Sequence, residues 1–372
     1  MKIGFDAKRM TQNFTGLGNY SRYVLKILTE NHSENQYVAY ALKPFQSSVD
    51  FQKFPAVQFQ YPQKQHFKSY WRSFSIIEDL KRDDIDLYHG LSNEIPFGLK
   101  KARIPSVISI HDLIFLRYPH YYPYVDRKIY EYKMRYAVNH ANKIIAISET
   151  TKSDLVNYFN VEESKIKVIY QNCDSSFRVQ VSEVEKSRIK SVYNLPESFL
   201  LNVGTIESRK NALLAVKALK ELDSNLHLVL VGRETPYAES LRVFAKANGL
   251  INRVHFLSNI PFADLPGIYQ LAELFVYPSE FEGFGIPIIE ALSSGVAVIA
   301  ATGSCLEEAG GPGSVYVNPD DHLGLASEIG NILNNPQKKK EMIIAGSVHL
   351  QKFSDYKIAD KLNKLYQTVI KC

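Results

Sequence analysis

At 372 residues the chain is too long for one ordinary hydrophobic core and suits two α/β domains. An apolar share of 45% with 22% charged residues excludes a disordered chain, and no apolar run approaches the roughly 20 residues that cross a bilayer. The formal charge of +5 is modest and comes with no nucleic-acid reading motif, which excludes a nucleic-acid partner.

The opening MKIGFDAKRM lacks the charged-then-apolar pattern of a signal peptide, so a cytoplasmic location is expected. Cys173, Cys305 and Cys372 lie far apart and read as ordinary thiols of a reducing compartment. Strands are predicted at Lys2–Asp6, Tyr37–Leu42, Val57–Gln60, Leu87–His89, Ser106–His111, Lys143–Ile147 and Lys167–Ile169. Between them, helical periodicity predicts Asn19–Thr29, Tyr70–Lys81, Asp126–Ala141 and Thr150–Phe159. The first domain is drawn as residues 1–173 and the second as 174–372.

Three features of the first half bear on chemistry. Thr15-Gly16-Leu17-Gly18-Asn19 joins the first strand to a helix, as either a tight turn or a phosphate contact. It lacks the third glycine of the dinucleotide fingerprint, whose place is taken by Ser21. His111-Asp112 follows an apolar strand, where α/β domains bind ligands, although a lone histidine there also serves as a hydrogen-bonded structural residue. Lys64, Lys68, Arg72, Lys81 and Arg82 cluster with Phe67, Tyr70, Trp71 and Phe74. The preferred reading is a solvated helix with its aromatic side packed inward. The other is a peripheral surface for anionic lipid or an acidic acceptor, at the inner face of the cell membrane.

The second half predicts strands at Leu200–Ile206, His227–Gly232, Val254–Leu257, Leu274–Ser279, Ala297–Ala300 and Ser314–Asn318. Helices are predicted at Asn211–Leu222, Tyr237–Asn248, Ala263–Ala272, Pro287–Ser294 and His322–Asn334. A closing helix, Ser354–Lys371, carries Ile358, Leu362, Leu365 and Val369 on one face, which packs on a sheet, in one reading that of the first domain. Such alternation implies parallel sheets covered on both faces, with ligands held beyond the carboxyl ends of the strands.

Two loops of this half are informative. Val203 to Asn211 sets Arg209 and Lys210 side by side at a helix start, where the helix dipole disfavours cations; either a bound diphosphate compensates them, or they are a surface basic pair near Glu207. Pro278 to Leu292 ends a strand, passes Gly283 and Gly285, and opens a helix at Pro287. Glu282 is expected before that helix and Glu290 in its opening turn, as acceptors of hydrogen bonds from sugar hydroxyls.

Together these residues resemble the retaining glycosyltransferase family 4, whose fold is GT-B: two Rossmann-like doubly wound domains facing a central cleft. The signature Glu-Gly-Phe-Gly-x-Pro-x-x-Glu-Ala is complete from Glu282 to Ala291. Gly204 to Asn211, the glycine loop, His111-Asp112, Ser304–Gly311 with Asn318-Pro-Asp-Asp, and Ile169 to Asp174 follow in the family's order. The resemblance implies that a nucleotide-diphosphate sugar is the donor and that the first domain binds a glycan or lipid-linked acceptor. Glu282 would contact the donor sugar, with Gly283, Phe284 and Gly285 giving backbone contacts, and Glu290 would hold the ribose. Arg209 and Lys210 would hold the diphosphate opposite Gly16, Leu17 and Gly18, and His111 would lie near the transferring sugar.

Two departures stand out: Cys173 replaces the usual glycine before the junction aspartate, and Thr205 stands where many members carry arginine. The variant loop and the Trp71 helix resemble mannosyltransferase-type members acting on bacterial surface polysaccharide. The resemblance also implies transfer with retention; no cofactor is expected, and no metal, because Arg209, Lys210 and the helix N-termini can neutralise a leaving diphosphate. Asp84-Ile-Asp86 imitates a metal-binding pair but reads as a turn of solvated charges. Two alternatives stay open: a non-catalytic nucleotide or sugar binder on this scaffold, and a nicotinamide-dependent oxidoreductase.

Overall fold

Short β-branched runs become parallel strands in both halves of the chain, as fully covered sheets require. The computed structural model describes residues 1–13, 15–45, 52, 54–63 and 67–371. Lys64 and Cys372, named above, lie outside them. The chain divides into two units, Met1–Asn172 with Phe353–Cys372, and Cys173–Lys352.

Among the described residues, the first unit holds a seven-stranded sheet. Its strands are β1 (Lys2–Asp6), β2 (Gln36–Tyr40), β3 (Val57–Gln60), β4 (Leu87–Gly90), β5 (Ser106–Ile110), β6 (Lys143–Ala146) and β7 (Ile166–Val168). They lie in the order β3-β2-β1-β4-β5-β6-β7, every pair parallel, with Ile3 between Tyr37 and Leu87. The flanking helices include α1 (Gly16–Asn31), α2 (Tyr124–His140) and α3 (Glu149–Phe159). Ser148 caps α3 by accepting from the Thr151 amide at 3.0 Å, and Asn160 ends it in a left-handed conformation.

The C-terminal helix, Asp355–Lys371, belongs to this first unit and packs on α1. Of the predicted face, Ile358, Leu362 and Val369 are buried. Tyr366 is fully buried beside Leu362 and Val369, whereas Leu365 is only half-buried. The Tyr366 hydroxyl pairs with His89 Nδ1 at 2.7 Å, so the polar tip of a tyrosine finds a partner inside the core. The helix start is tied down by Tyr23 and Asn172, which both donate to Asp355 Oδ1 at 2.9 Å.

The predicted helix over 70–81 is not one helix. Lys68–Tyr70 leads into a π turn at Trp71–Ser75, and Ile76–Arg82 resumes the α form. A π turn widens the helix, so a stripe laid out at α spacing cannot keep one face. Trp71 is buried and donates to Asp79 at 2.5 Å, but Phe67, Tyr70 and Phe74 are 66%, 59% and 46% exposed. The expectation of an inward-packed aromatic side fails for those three. Arg72 is turned inward to Asp6, and Arg82 pairs with Asp79 and Asp83, which leaves the basic surface weaker than its sequence implies.

The second unit's sheet has six strands among the described residues: β8 (Phe199–Val203), β9 (His227–Val231), β10 (Val254–Leu257), β11 (Leu274–Tyr277), β12 (Val298–Ala301) and β13 (Val315–Val317). Their order is β10-β9-β8-β11-β12-β13, again all parallel. Helices α4 (Ala212–Leu219) and α5 (Ile286–Ser293) follow β8 and β11. The charge-rich entry to this unit is itself helical at Glu183–Val192, capped by Ser182. Each sheet reverses its strand order once, between β1 and β4 and between β8 and β11. Loops leaving those paired strands diverge and open a crevice at their carboxyl ends. Among the described residues, no helix is long and apolar enough to cross a membrane.

Candidate functional site

The second unit brings its two informative loops together at its reversal point, one after β8 and one after β11. Gly204 leaves β8 with a φ of +149°, a conformation that favours glycine, and the chain turns through Ser208–Lys210 before α4. Asn211 takes the left-handed conformation and its side chain donates to the Pro319 carbonyl at 2.7 Å, which fixes the end of this turn. The Glu280 amide donates to the Arg209 carbonyl at 2.9 Å, tying the two loops by their backbones.

Arg209, Lys210 and Glu282 meet there. Lys210 Nζ lies 2.5 Å from both Glu282 Oε1 and the Tyr277 hydroxyl. Arg209 approaches the same Oε1 at 3.1 Å, reaches Glu207 at 2.7 Å, and donates to the Phe281 carbonyl. Ser279 and Tyr277 add donors to Oε1 at 2.7 and 3.1 Å. The two cations are therefore compensated within the protein, by Glu282 and by Glu207, the neighbour that the sequence offered as the alternative to a bound diphosphate.

Of the two compensating carboxylates, Glu282 is buried, with its side chain 12% exposed, and faces both cations, while Glu207 is the more exposed. Burial alone would raise the Glu282 carboxyl, but Lys210 and Arg209, with hydrogen bonds from Lys210 and Ser279, hold it down to about 2. Glu282 is thus a carboxylate at any working pH. Lys210, Arg209, Ser279 and Tyr277 all reach Oε1, and among the described residues no group bonds Oε2, which keeps its lone pairs for hydroxyl donors.

The turn into α5 is tight. Gly285 has a φ of +110°, and a Cβ there would meet Leu306 at 2.9 Å. Phe284 is buried, so at that position only the backbone can face a ligand. Glu290 is the fifth residue of α5, past the opening turn expected for it, so it does not serve as an acid of the helix start. Tyr269 donates to Glu290 Oε2 at 2.8 Å. Burial raises its carboxyl to about 7; the Tyr269 bond lowers it, and nearby Asp174 adds repulsion. Cys173, the departure at the junction, is buried against Ser293 at 3.4 Å, and burial pushes its thiol up to about 12.

In the first unit the glycine loop forms the start of α1. A Cβ on Gly18 would stand 1.7 Å from the Asn13 carbonyl, so close backbone packing alone accounts for that glycine. Gly16, by contrast, faces open space, and Leu17 lies between them in the first turn. The Asn13 side chain accepts from the amides of Thr15 and Gly18 at 2.8 and 3.3 Å, taking the place of a phosphate at those donors.

His111 follows β5 and is buried. Its Nε2 lies 2.8 Å from the Leu91 carbonyl, which can only accept, so Nε2 carries the proton and Nδ1 is the acceptor. Burial lowers it to about 4 despite that bond, with Arg9 adding repulsion, and the ring is neutral at pH 7. Tyr20 packs edge-on against it at 4.6 Å. The sequence reading did not anticipate Tyr277, Ser279 and Tyr269 as partners of the two acids. Polar residues at the end of an otherwise apolar strand were the available signal for the first two.

Comparison with known proteins agrees with the motifs. Residues 183–348 match the family described as Glycosyl transferases group 1, and residues 16–176 match Glycosyltransferase Family 4. The O-antigen chain mannosyltransferase RfbU of Salmonella typhimurium is 32% identical over 65% of this chain and 67% of its own. O-antigen chain mannosyltransferase B of Escherichia coli is 26% identical over 95% and 96%. In fold, Anabaena HepE, solved in complex with UDP-glucose, superposes with a TM-score of 0.79 at 18% identity, over 99% of this chain and all of that one.

Proposed function

The chain belongs to glycosyltransferase family 4, the group 1 glycosyl transferases, and from that premise we propose that it transfers a sugar, mannose, from a nucleotide-diphosphate donor to a surface-polysaccharide glycan or its lipid-linked precursor. The observation that carries the donor assignment is the convergence of Arg209, Lys210 and Glu282 at the second sheet's reversal point. In this reading Arg209 and Lys210 bind the diphosphate, Glu282 Oε2 accepts from the transferring sugar's hydroxyls, and the backbone from Gly283 to Gly285 lines the same sugar. In the first unit, Gly18 permits the turn at Gly16 and Leu17, and neutral His111 keeps Nδ1 as an acceptor for a hydroxyl.

The chemistry is displacement with retention. The bond from anomeric carbon to phosphate oxygen breaks, the acceptor oxygen bonds the same face, and its proton passes to the leaving phosphate. Charge grows on the diphosphate in the transition state, where fixed cations stabilise it most. These cations also support a reaction without a metal. Asp86, the second acid of Asp84-Ile-Asp86, accepts from the Lys2 amide at 2.7 Å, at the amino ends of β1 and β4, whereas ligands bind at the carboxyl ends. Transfer is expected to proceed undiminished in excess EDTA. Activity abolished by chelation, restored by Mg²⁺ or Mn²⁺ and lost in Asp84→Ala or Asp86→Ala would contradict this.

Glu290 makes a separate prediction. With its carboxyl near 7, a good part of the population is protonated at neutral pH. Ribose hydroxyls that donate to it favour the carboxylate, so nucleoside diphosphate binding at pH 6.5 is expected to release a proton. Calorimetry in two buffers of different ionisation enthalpy reads this directly. Glu290→Gln should abolish the release and weaken nucleotide affinity about tenfold, the loss of one charged hydrogen bond. Unchanged affinity and unchanged proton release in the variant would remove Glu290 from the ribose. Peripheral contact with anionic lipid rests on fewer cations than the sequence implied, because Arg72 is turned inward and Arg82 is paired.

A further inference from the structure

A series of buried polar side chains crosses the first unit, and the chemistry described so far makes no use of it. Tyr366 of the C-terminal helix, His89 of β4, Ser109 of β5 and Tyr20 of α1 come from four elements, and each is at most 3% exposed. Their polar atoms touch in turn. The Tyr366 hydroxyl lies 2.7 Å from His89 Nδ1, His89 Nε2 lies 2.8 Å from Ser109 Oγ, and Ser109 Oγ lies 2.7 Å from the Tyr20 hydroxyl. Burial, helped by the nearby His111, lowers His89 to about 3, so at pH 7 its ring carries one proton. A neutral imidazole donates through one nitrogen and accepts through the other, which lets His89 join the two hydroxyls beside it into one continuous run of hydrogen bonds. Apolar side chains of the same shape would fill this space without the desolvation that these groups cost. The run therefore contributes a fixed geometry more than net stability.

The run ends against His111. The Tyr20 and His111 rings meet edge to face, with centroids 4.6 Å apart. The rest of His111 is held by separate groups. Its amide donates to Asn93 Oδ1 at 2.9 Å, its carbonyl accepts from Thr151 Oγ1 at 3.2 Å, and Nε2 donates to the Leu91 carbonyl at 2.8 Å. The first two bonds fix the backbone. The third fixes one nitrogen, but Nε2 sits nearer than Nδ1 to the axis about which the ring turns, and the last torsion of a histidine is a soft one. That bond alone restrains the ring weakly, so the direction of Nδ1 depends on where the Tyr20 ring stands. The far end of the run is anchored as well: Asp355 of the C-terminal helix accepts from Tyr23 of α1 at 2.9 Å, and Asn363 accepts from Asn35 at 3.1 Å.

We propose that Tyr20 is a positioning residue for His111, held through Ser109 and His89 by Tyr366, so that seating of the C-terminal helix sets the aim of His111 Nδ1. Each hydroxyl and the imidazole have one proton to give, so a link that is removed leaves its neighbour with an unmet bond inside the core, and that neighbour turns to find another. The disturbance is passed along the run to the Tyr20 ring and from there to His111. A reacting constellation tolerates displacements of only about 0.5 Å, so a loosened ring is enough to slow turnover. The inference rests on the proposed glycosyl transfer only for the use made of Nδ1.

Tyr366→Phe and Tyr20→Phe each keep a ring and remove a hydroxyl. Ser109→Ala removes one oxygen midway and supplies a further break should Tyr366→Phe fail to fold. Two readouts are taken on the full chain. In protein carrying isotope-labelled histidine, the nitrogen signals of the His111 ring are identified by their loss in His111→Gln. Every break is expected to shift them, including Tyr366→Phe, although the Tyr366 hydroxyl bonds His89 and not His111. Turnover should fall about tenfold in each single variant while nucleoside diphosphate affinity keeps its wild-type value. The double variant Tyr20→Phe/Tyr366→Phe should lose no more than the worse single one, because both break the same run. A packing role alone would lower thermal melting and leave the His111 signals and the turnover of folded protein unchanged, and that result would overturn the proposal. So would turnover losses that multiply in the double variant. Failure of the transfer reading would appear separately, as wild-type turnover in His111→Gln or no transfer by wild-type protein, while the ring signals still report the positioning.

Discussion

Lys210→Ala is expected to lower turnover by about 10²- to 10³-fold, the cost of removing one preorganised charge from a closed site. Lys210 Nζ sits between the Tyr277 hydroxyl and Glu282, so its loss also removes the nearer of the two cations that hold Glu282 ionised. The Glu282 carboxyl, now held at about 2, should rise toward the ordinary carboxylate range. The sign follows from this. A carboxylate depressed in the folded protein is lost as pH falls through its folded value, so raising that value moves the acid limb of the pH–rate profile upward. Loss of turnover with an upward-shifted acid limb and near-normal thermal melting is the expected pattern. Wild-type kinetics in Lys210→Ala and in Arg209→Ala, with both variants folded, would end the assignment of these cations to the diphosphate.

Glu282→Gln is expected to split catalysis from binding. Removing the one carboxylate buried between Arg209 and Lys210 leaves both cations less compensated, so a nucleoside diphosphate should bind as tightly as before or more tightly. Turnover should nevertheless fall about 10²-fold, because the ionised acceptor of the sugar hydroxyls is gone. Weakened nucleotide binding with unchanged turnover would reverse the role given to Glu282.

The sheets were legible from short β-rich runs in alternation with helical periodicity: β1, β3 and β10 were found with both ends correct. Helix Glu183–Val192 was not, since only Ile189 of its ten residues is buried and one apolar position makes no stripe. The π turn was invisible for a related reason. Its inward and outward side chains were laid out by a period that the local backbone does not follow. Arg209, Lys210 and Glu282 were singled out through their motifs. Their mutual pairing was not, because it depends on β8 and β11 being neighbours, which the sequence does not state. Tyr20, His89, Ser109 and Tyr366 are the opposite case. They come from distant stretches of chain without a shared motif, and only the pairing of β4 with β5 and the packing of the C-terminal helix on α1 bring them together.

The central claim is that this chain turns over a sugar nucleotide at the Arg209–Lys210–Glu282 site. Its most direct test follows nucleoside diphosphate release and product anomeric configuration from a panel of nucleotide-diphosphate sugars, with an oligosaccharide acceptor, in wild-type and Lys210→Ala protein. The account predicts acceptor-dependent release from at least one donor, mannose carried over with its anomeric configuration retained, and a Lys210→Ala rate about 10²-fold lower or less. Tight nucleotide binding without turnover, or reduction of a nicotinamide in place of transfer, would contradict it.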